Sequence, residues 1–180
     1  MMYQCFRRDE DSLKHIINKM NPYIQKRGEK IVQDEALLTS PVEFSKKLLE
    51  LKAEMDHMVQ QSFDNDMKFQ KGRDSSFMAF MNECSQTPSH IAYYADKELK
   101  AGLKGAAEEE VDARLSAIVR LFCCLHGRDI FIKAYTKFLA SRLLNKTLLS
   151  QEAEEKMLEK LKVECGVNTM NKITKMFSDM

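Results

Sequence analysis

The chain has 180 residues, 44% of them hydrophobic, which is enough for one ordinary core or for two small helical units sharing an interface. Its 28 Lys and Arg nearly cancel 27 Asp and Glu, so a net charge of +1 leaves nucleic acid or an anionic membrane only a local patch to bind. Six Gly and three Pro are few for a β-sandwich or a disordered chain.

Apolar residues recur with the period of an α-helix nearly everywhere, so the sequence predicts an all-α chain. Leu13, Ile16, Ile17, Met20 and Ile24 define one helical face. Asn21-Pro22 predicts a kink or break in it, and Gly28 its end. Ser40-Pro41-Val42-Glu43 has the form of a capping box with proline at the first helical position. Phe44, Leu48, Leu51, Met55 and Met58 follow as a narrow seam. A turn at Asp64-Asn65-Asp66 leads to a helix with Phe69, Phe77, Phe80, Met81 and Cys84, in which Gly72 weakens continuity. Thr87-Pro88 starts the next, carrying Ile91, Tyr94, Ala95 and Leu99.

The stretch Gly102 to Gly105 is the best boundary in the chain and predicts domains at 1–104 and 105–180. Glu108, Glu109 and Glu110 suit the positive end of a helix starting there. Val111, Leu115, Ile118, Val119, Phe122 and Leu125 form its stripe, up to Gly127. Ile130 to Leu144 is a further helix. Ser150 caps another, with Met157, Leu158, Leu161 and Cys165, which Gly166 stops. Asn168 or Thr169 caps a last one with Ile173, Met176, Phe177 and Met180. This final stripe ends unfinished, so the chain reads as a fragment that is marginally stable or self-associating on its own.

Chemistry-bearing patterns are sparse. No apolar run approaches the ~18 residues of a membrane span, and the first residues carry no signal-peptide apolar region. Five cysteines, an odd number without a C-x-x-C, predict a reduced cytoplasmic or nuclear setting. Cys123, Cys124 and His126 are the nearest approach to a metal or nucleophile cluster, with Cys123 and His126 spaced to share a helix face. A zinc site needs a second ligand pair, and none has suitable spacing, so neither a metal nor a cofactor is expected. His15, His57 and His90 stand outside any metalloprotease motif, and phosphate-binding glycine loops and a nucleophile elbow are missing. The groups Glu108–Glu110 and Glu152, Glu154 and Glu155 read as solvated helix starts rather than acid–base catalysts. The expectation is a protein without catalytic residues.

One run stands out. From Phe131 to Lys146 there are four cations, Lys133, Lys137, Arg142 and Lys146, and no acid. Lys133 and Lys137 fall about 40° apart on a helix, with Phe131, Tyr135, Phe138 and Leu139 on the opposite arc. The lysines read as a solvated face or as a patch that steers acidic partners. Arg142 falls inside the apolar arc. Either the helix bends near Ala140-Ser141, or the Arg142 stem packs inside while its head finds a carboxylate or carbonyls.

Three linked motifs resemble the cullin family. Asp129-Ile130-Phe131 through Leu139-Ala140-Ser141-Arg142-Leu143-Leu144 is similar to its aspartate–aliphatic–Phe opening and Leu-Ala-basic-Arg-Leu close. Glu154-Glu155-Lys156 through Lys160-Leu161-Lys162-Val163-Glu164-Cys165-Gly166 resembles its acid-rich helix ending in Lys-Leu-Lys-x-x-Cys-Gly. Lys172-Ile173-Thr174-Lys175-Met176-Phe177-Ser178-Asp179-Met180 resembles its Lys-Leu-x-x-Met-Phe-x-Asp run. Tyr93 to Leu99 and Phe63 to Asp66 match more loosely. Ser141 departs from the pattern, which often has a second basic residue there.

The resemblance implies the end of the N-terminal cullin-repeat helices over 1–104 and the start of a cullin homology four-helix bundle over 105–180. It implies a scaffold of a ubiquitin ligase, with a substrate receptor or adaptor, a RING-box protein and a ubiquitin-conjugating enzyme as partners of the full-length protein. Neither membrane nor nucleic acid is implied. The adaptor-docking, RING-gripping and modifier-acceptor sites are expected outside this chain. The basic helix is implied to form a groove for the acidic tail of a conjugating enzyme, through Lys133, Lys137 and Arg142. A generic α-solenoid interaction module without a ubiquitin role, and a nucleic-acid binder using the basic helix, are the competing readings.

Overall fold

The computed structural model describes residues 10–147 and 150–178. All regular structure among them is helical. The residues fall into two compact units, one ending at Thr87 and the other starting at Pro88.

The first unit contains α1 (Glu10–Val32), α2 (Glu35–Leu38), α3 (Pro41–Phe63) and α4 (Met67–Met81). α1 runs through both expected interruptions. Pro22 lies within it on the exposed side, where the carbonyl that loses its N–H partner can turn to water. Gly28 does not end the helix but lets α4 approach it. A Cβ there would lie 2.3 Å from ring atoms of Phe80. Gly72, within the unbroken α4, has the same role on the other partner, since its Cβ would meet Asn21 Oδ1 at 2.8 Å. Both glycines are therefore packing positions, and the lost helix propensity of about 1 kcal/mol each is offset by close helix contact.

The expected capping box does not form. Ser40 is the N-cap of α3 but makes no side-chain cap bond, and Glu43 pairs with Lys46 at 3.0 Å instead. Pro41 holds the first helical position as expected. Phe44, Leu48, Leu51 and Met55 are buried, and the seam continues at Val59 rather than the half-buried Met58. The Asp64-Asn65 turn is left-handed, φ 50° and 55°, and Asp66 caps α4 by accepting from the Lys68 amide at 2.7 Å. Phe69, Phe77, Phe80 and Met81 are wholly buried. Beside them a four-charge cluster joins α3 to α4. Buried Lys52 reaches Asp56 at 2.5 Å and Asp74 at 3.5 Å, and Arg73 reaches both carboxylates at 2.9 Å.

The second unit contains all but the first residue of α5 (Thr87–Lys97), a π-helical turn (Glu98–Gly102), α6 (Glu108–Cys123), α7 (Arg128–Leu144), α8 (Gln151–Cys165) and α9 (Val167–Ser178). The glycine-bounded stretch, with its expected boundary at residues 104 and 105, falls inside this unit. It is tied rather than loose. Arg114 of α6 donates to the Gly102 carbonyl at 3.0 Å and to Glu98 at 3.3 Å, and Leu103 is buried.

α6 ends at Cys123, before the expected Gly127. Arg128 turns back over its end, donating to the Cys123 carbonyl at 2.8 Å and the Leu125 carbonyl at 3.3 Å, with its guanidinium 5.5 Å from the Phe122 ring. Ser150 caps α8 as expected, accepting from the Ala153 amide at 3.1 Å, and Gly166 ends it with φ +79°. α9 starts at Val167, so Asn168 and Thr169 lie within its first turn rather than before it. Ile173 is buried and Phe177 half-buried; the side chain of Met176 and all of Met180 lie outside the described residues.

Candidate protein-interaction face

α7 has two chemically opposite sides. Phe131, Tyr135, Leu139, Arg142 and Leu143 are its buried positions. The Phe131 ring lies 4.8 Å from Phe122, and half-buried Phe138 meets Tyr93 edge-on at 5.9 Å. On the other side Lys133 is 81% exposed, 3.6 Å from its helix neighbour Asp129, and Lys137 is exposed. That Asp129–Lys133 pair is an i,i+4 contact in water, so it is weak and leaves the ammonium available.

Arg142 does not belong to this exposed face, which corrects the expected groove of Lys133, Lys137 and Arg142. Its side chain is wholly buried. The guanidinium is held by carboxylates from two other helices. Nη1 donates to Asp96 Oδ1 of α5 at 2.6 Å, and Nη2 and Nε donate to Glu154 of α8 at 2.6 and 3.0 Å. The Tyr135 hydroxyl donates to the same Glu154 oxygen, and the Tyr135 ring lies 5.5 Å from the guanidinium carbon. Lys100 completes the set, 2.9 Å from the second Asp96 oxygen. Of the two explanations open for Arg142 in the apolar arc, the head finding carboxylates is the one the structure has.

Two cations thus meet two carboxylates, so the network is neutral as a whole. The two-pronged contact with Glu154 is the strong geometry for an arginine–carboxylate pair. Burial works against the Arg142 cation, but the charge and hydrogen bonds of Glu154, with Tyr135 and Asp96, together outweigh it, and the Arg142 pKa lies above the ordinary arginine value. Tyr135 is pushed well above the usual phenol value, first by burial and then by the Glu154 charge. Glu154 is the residue the sequence misplaced. Its position in the sequence groups it with solvated acids at a helix start, yet it is wholly buried. The signal for it is Arg142 itself: an arginine inside an apolar arc calls for a partner, and a buried carboxylate is one of those it can take.

The remaining acids of those groups behave as expected. Glu108, Glu109 and Glu110 are exposed at the start of α6. Lys156 of α8 contacts Glu108 at 2.5 Å and Lys160 contacts Asp112 at 2.8 Å, and these hydrogen bonds hold both carboxyls below their usual range.

Cys123 and His126 do not share a helix face, because α6 stops at Cys123 and His126 lies in the exposed turn after it. Burial, and then a hydrogen bond with Glu164, push the Cys123 thiol up to about 12, which keeps it protonated and poorly nucleophilic. Among the described residues no group of three or more His, Cys, Asp and Glu is placed to hold a metal ion. No helix among them is long and apolar enough to cross a membrane.

Comparison with known proteins adds the family. The family model described as the cullin alpha solenoid domain matches residues 1–180. Cullin-3B of Arabidopsis thaliana is 37% identical over 179 residues, which is 99% of this chain and 24% of the relative. Cullin-3 of Dictyostelium discoideum is 37% identical over 99% of this chain and 23% of its own length, and human Cullin-4A 36% over the same shares. The chain spans about a quarter of the length of the curated relatives it matches.

Proposed function

This chain belongs to the cullin family, and we propose from that premise that it is a scaffold segment of a cullin-RING ubiquitin ligase, without a catalytic site of its own. In that role the full-length protein holds a substrate receptor or adaptor at one place and a RING-box protein with a ubiquitin-charged conjugating enzyme at another. Its contribution is position. Holding two reactants at a productive separation replaces a bimolecular encounter by an effectively intramolecular one. The observation that carries this reading is the family match along all of residues 1–180. The wholly helical build of the described residues, each unit with its own packed core, suits a spacer. The protonated Cys123 thiol is a poor nucleophile for a covalent relay. The free thiols of Cys84, Cys123, Cys124 and Cys165 suit work in the cytoplasm or nucleus.

Within this scaffold the exposed pair Lys133 and Lys137 attracts the acidic tail of a conjugating enzyme. Two like charges one helical turn apart raise the local concentration of an anionic segment and speed its arrival more than they prolong its stay.

The experiment is a chimera in which a full-length cullin relative carries this chain in place of its own matching segment. The chimera should assemble with its RING and receptor partners and ubiquitinate substrate. Reversing Lys133 and Lys137 to Glu should slow the reaction at low salt and lose its effect as salt is raised. A folded chimera that binds its receptor and RING protein but transfers no ubiquitin would sink the scaffold reading. Unchanged rates at low salt after the charge reversal would remove the lysine face from it.

A further inference from the structure

We propose that Arg142 is a positioning residue for the lysine face rather than one of its cations. The inference rests on the reading of Lys133 and Lys137 as a docking face for an acidic peptide. Arg142 lies nine residues beyond Lys133, which puts the two on opposite sides of α7. Its charge is spent internally. Arg142 and Lys100 are matched by Asp96 and Glu154, all within one contiguous network. The network joins α7 to α5 and α8 at once, so it specifies which way α7 faces.

Apolar side chains alone tolerate a small rotation or slide by repacking. A fork of three N–H groups meeting two carboxylates from two different helices does not, because any rotation leaves a buried charge without its partner. Tyr135, one network member on the same buried side, adds a second fixed point two turns before Arg142. Lys137 lies between these anchored positions on the chain and Lys133 two residues before the first, so both inherit their orientation.

Charge logic separates this role from direct contact. Asp96→Asn removes a negative charge and leaves an oxygen for Arg142, so a purely electrostatic groove would bind an acidic peptide more tightly. Arg142→Lys keeps the charge but loses the planar fork, so a groove cation would be preserved. A positioning residue predicts weaker binding in both.

The test uses the full-length protein carrying this segment and a fluorescent peptide of alternating Asp and Glu, titrated at low and high salt. Helical content and thermal midpoint are recorded for every variant. We expect Asp96→Asn and Arg142→Lys each to weaken binding by roughly two- to fivefold, with a salt dependence like that of the parent, because the same two lysines still make the contact. Tyr135→Phe, which removes one hydroxyl and keeps the packing, should weaken it in the same direction without lowering helical content, and it decides the matter if the other two fail to fold. Tighter or unchanged binding in Asp96→Asn, or parent-like binding in Arg142→Lys, would overturn the proposal. So would parent-like binding in a folded Tyr135→Phe. A Lys133→Glu, Lys137→Glu double variant that binds the peptide as well as the parent would show that the lysine-face reading has failed, and the positioning role with it. Loss of binding there, with no effect of the network variants, would leave the lysine face standing and remove Arg142 from it.

Discussion

Replacing Arg142 by Met removes the charge while keeping much of the side-chain length, and the structure says what is left behind. Asp96 keeps Lys100 at 2.9 Å. Glu154 keeps only the Tyr135 hydroxyl among the described residues, at a wholly buried position. Removing one partner of a buried ion pair costs about 3–5 kcal/mol, because the other charge stays buried without compensation. A domain has about 5–15 kcal/mol in all, so the single substitution should remove a large share of the second unit's stability. A second substitution separates the stranded charge from lost packing. Arg142→Met with Glu154→Leu takes both charges out and leaves Asp96 with Lys100. It should recover most of the loss, since a buried pair replaced by apolar groups of similar volume is often neutral. Urea unfolding followed by far-UV circular dichroism gives the energies, and amide exchange along α7 assigns them to this unit. The reasoning is refuted if Arg142→Met costs less than about 1 kcal/mol, or if the double variant is no more stable than the single one.

Three further outcomes follow from other parts of the molecule. Gly28→Ala gains about 1 kcal/mol of helix propensity but drives a methyl into the buried Phe80 ring, and overpacking of about 1–3 kcal/mol should win. A lower urea midpoint that Phe80→Leu restores is expected, and a raised midpoint would show that the helices yield. Tyr135 has its pKa raised, so above about pH 10 the unfolded chain releases that proton while the folded chain keeps it. Its contribution to stability is therefore complete below pH 10 and falls as pH rises above it, so the alkaline unfolding transition should move up in Tyr135→Phe. Cys123, with its thiol at about 12, should be alkylated at pH 8 at least roughly tenfold more slowly in the folded chain than in urea. Equal rates would mean that its surroundings are open.

Helix identity, most starts and most buried faces were present in the order of residues, because they depend on contacts three and four positions apart. Phe44 through Met55, Leu115 through Phe122, and the Ser150 cap are of that kind. So were Lys133 and Lys137, since exposure on one side of a helix follows from what lies on the other. The family was legible too, in motifs spread over residues 129–180. What failed were local rules overruled by a neighbour distant in sequence. Gly28 and Gly72 looked like breakers and are contact points between α1 and α4. Ser40 and Glu43 had the right spacing for a capping box, but Lys46 took the carboxylate. Arg142 carries the clearest lesson. Its sequence could say that a charge had entered an apolar arc, but its partners lie 46 residues before it and 12 after it. Only the packing of α5, α7 and α8 decided that Asp96 and Glu154 would meet it there, because an ion pair in a dry interior is a property of three helices together and of none alone.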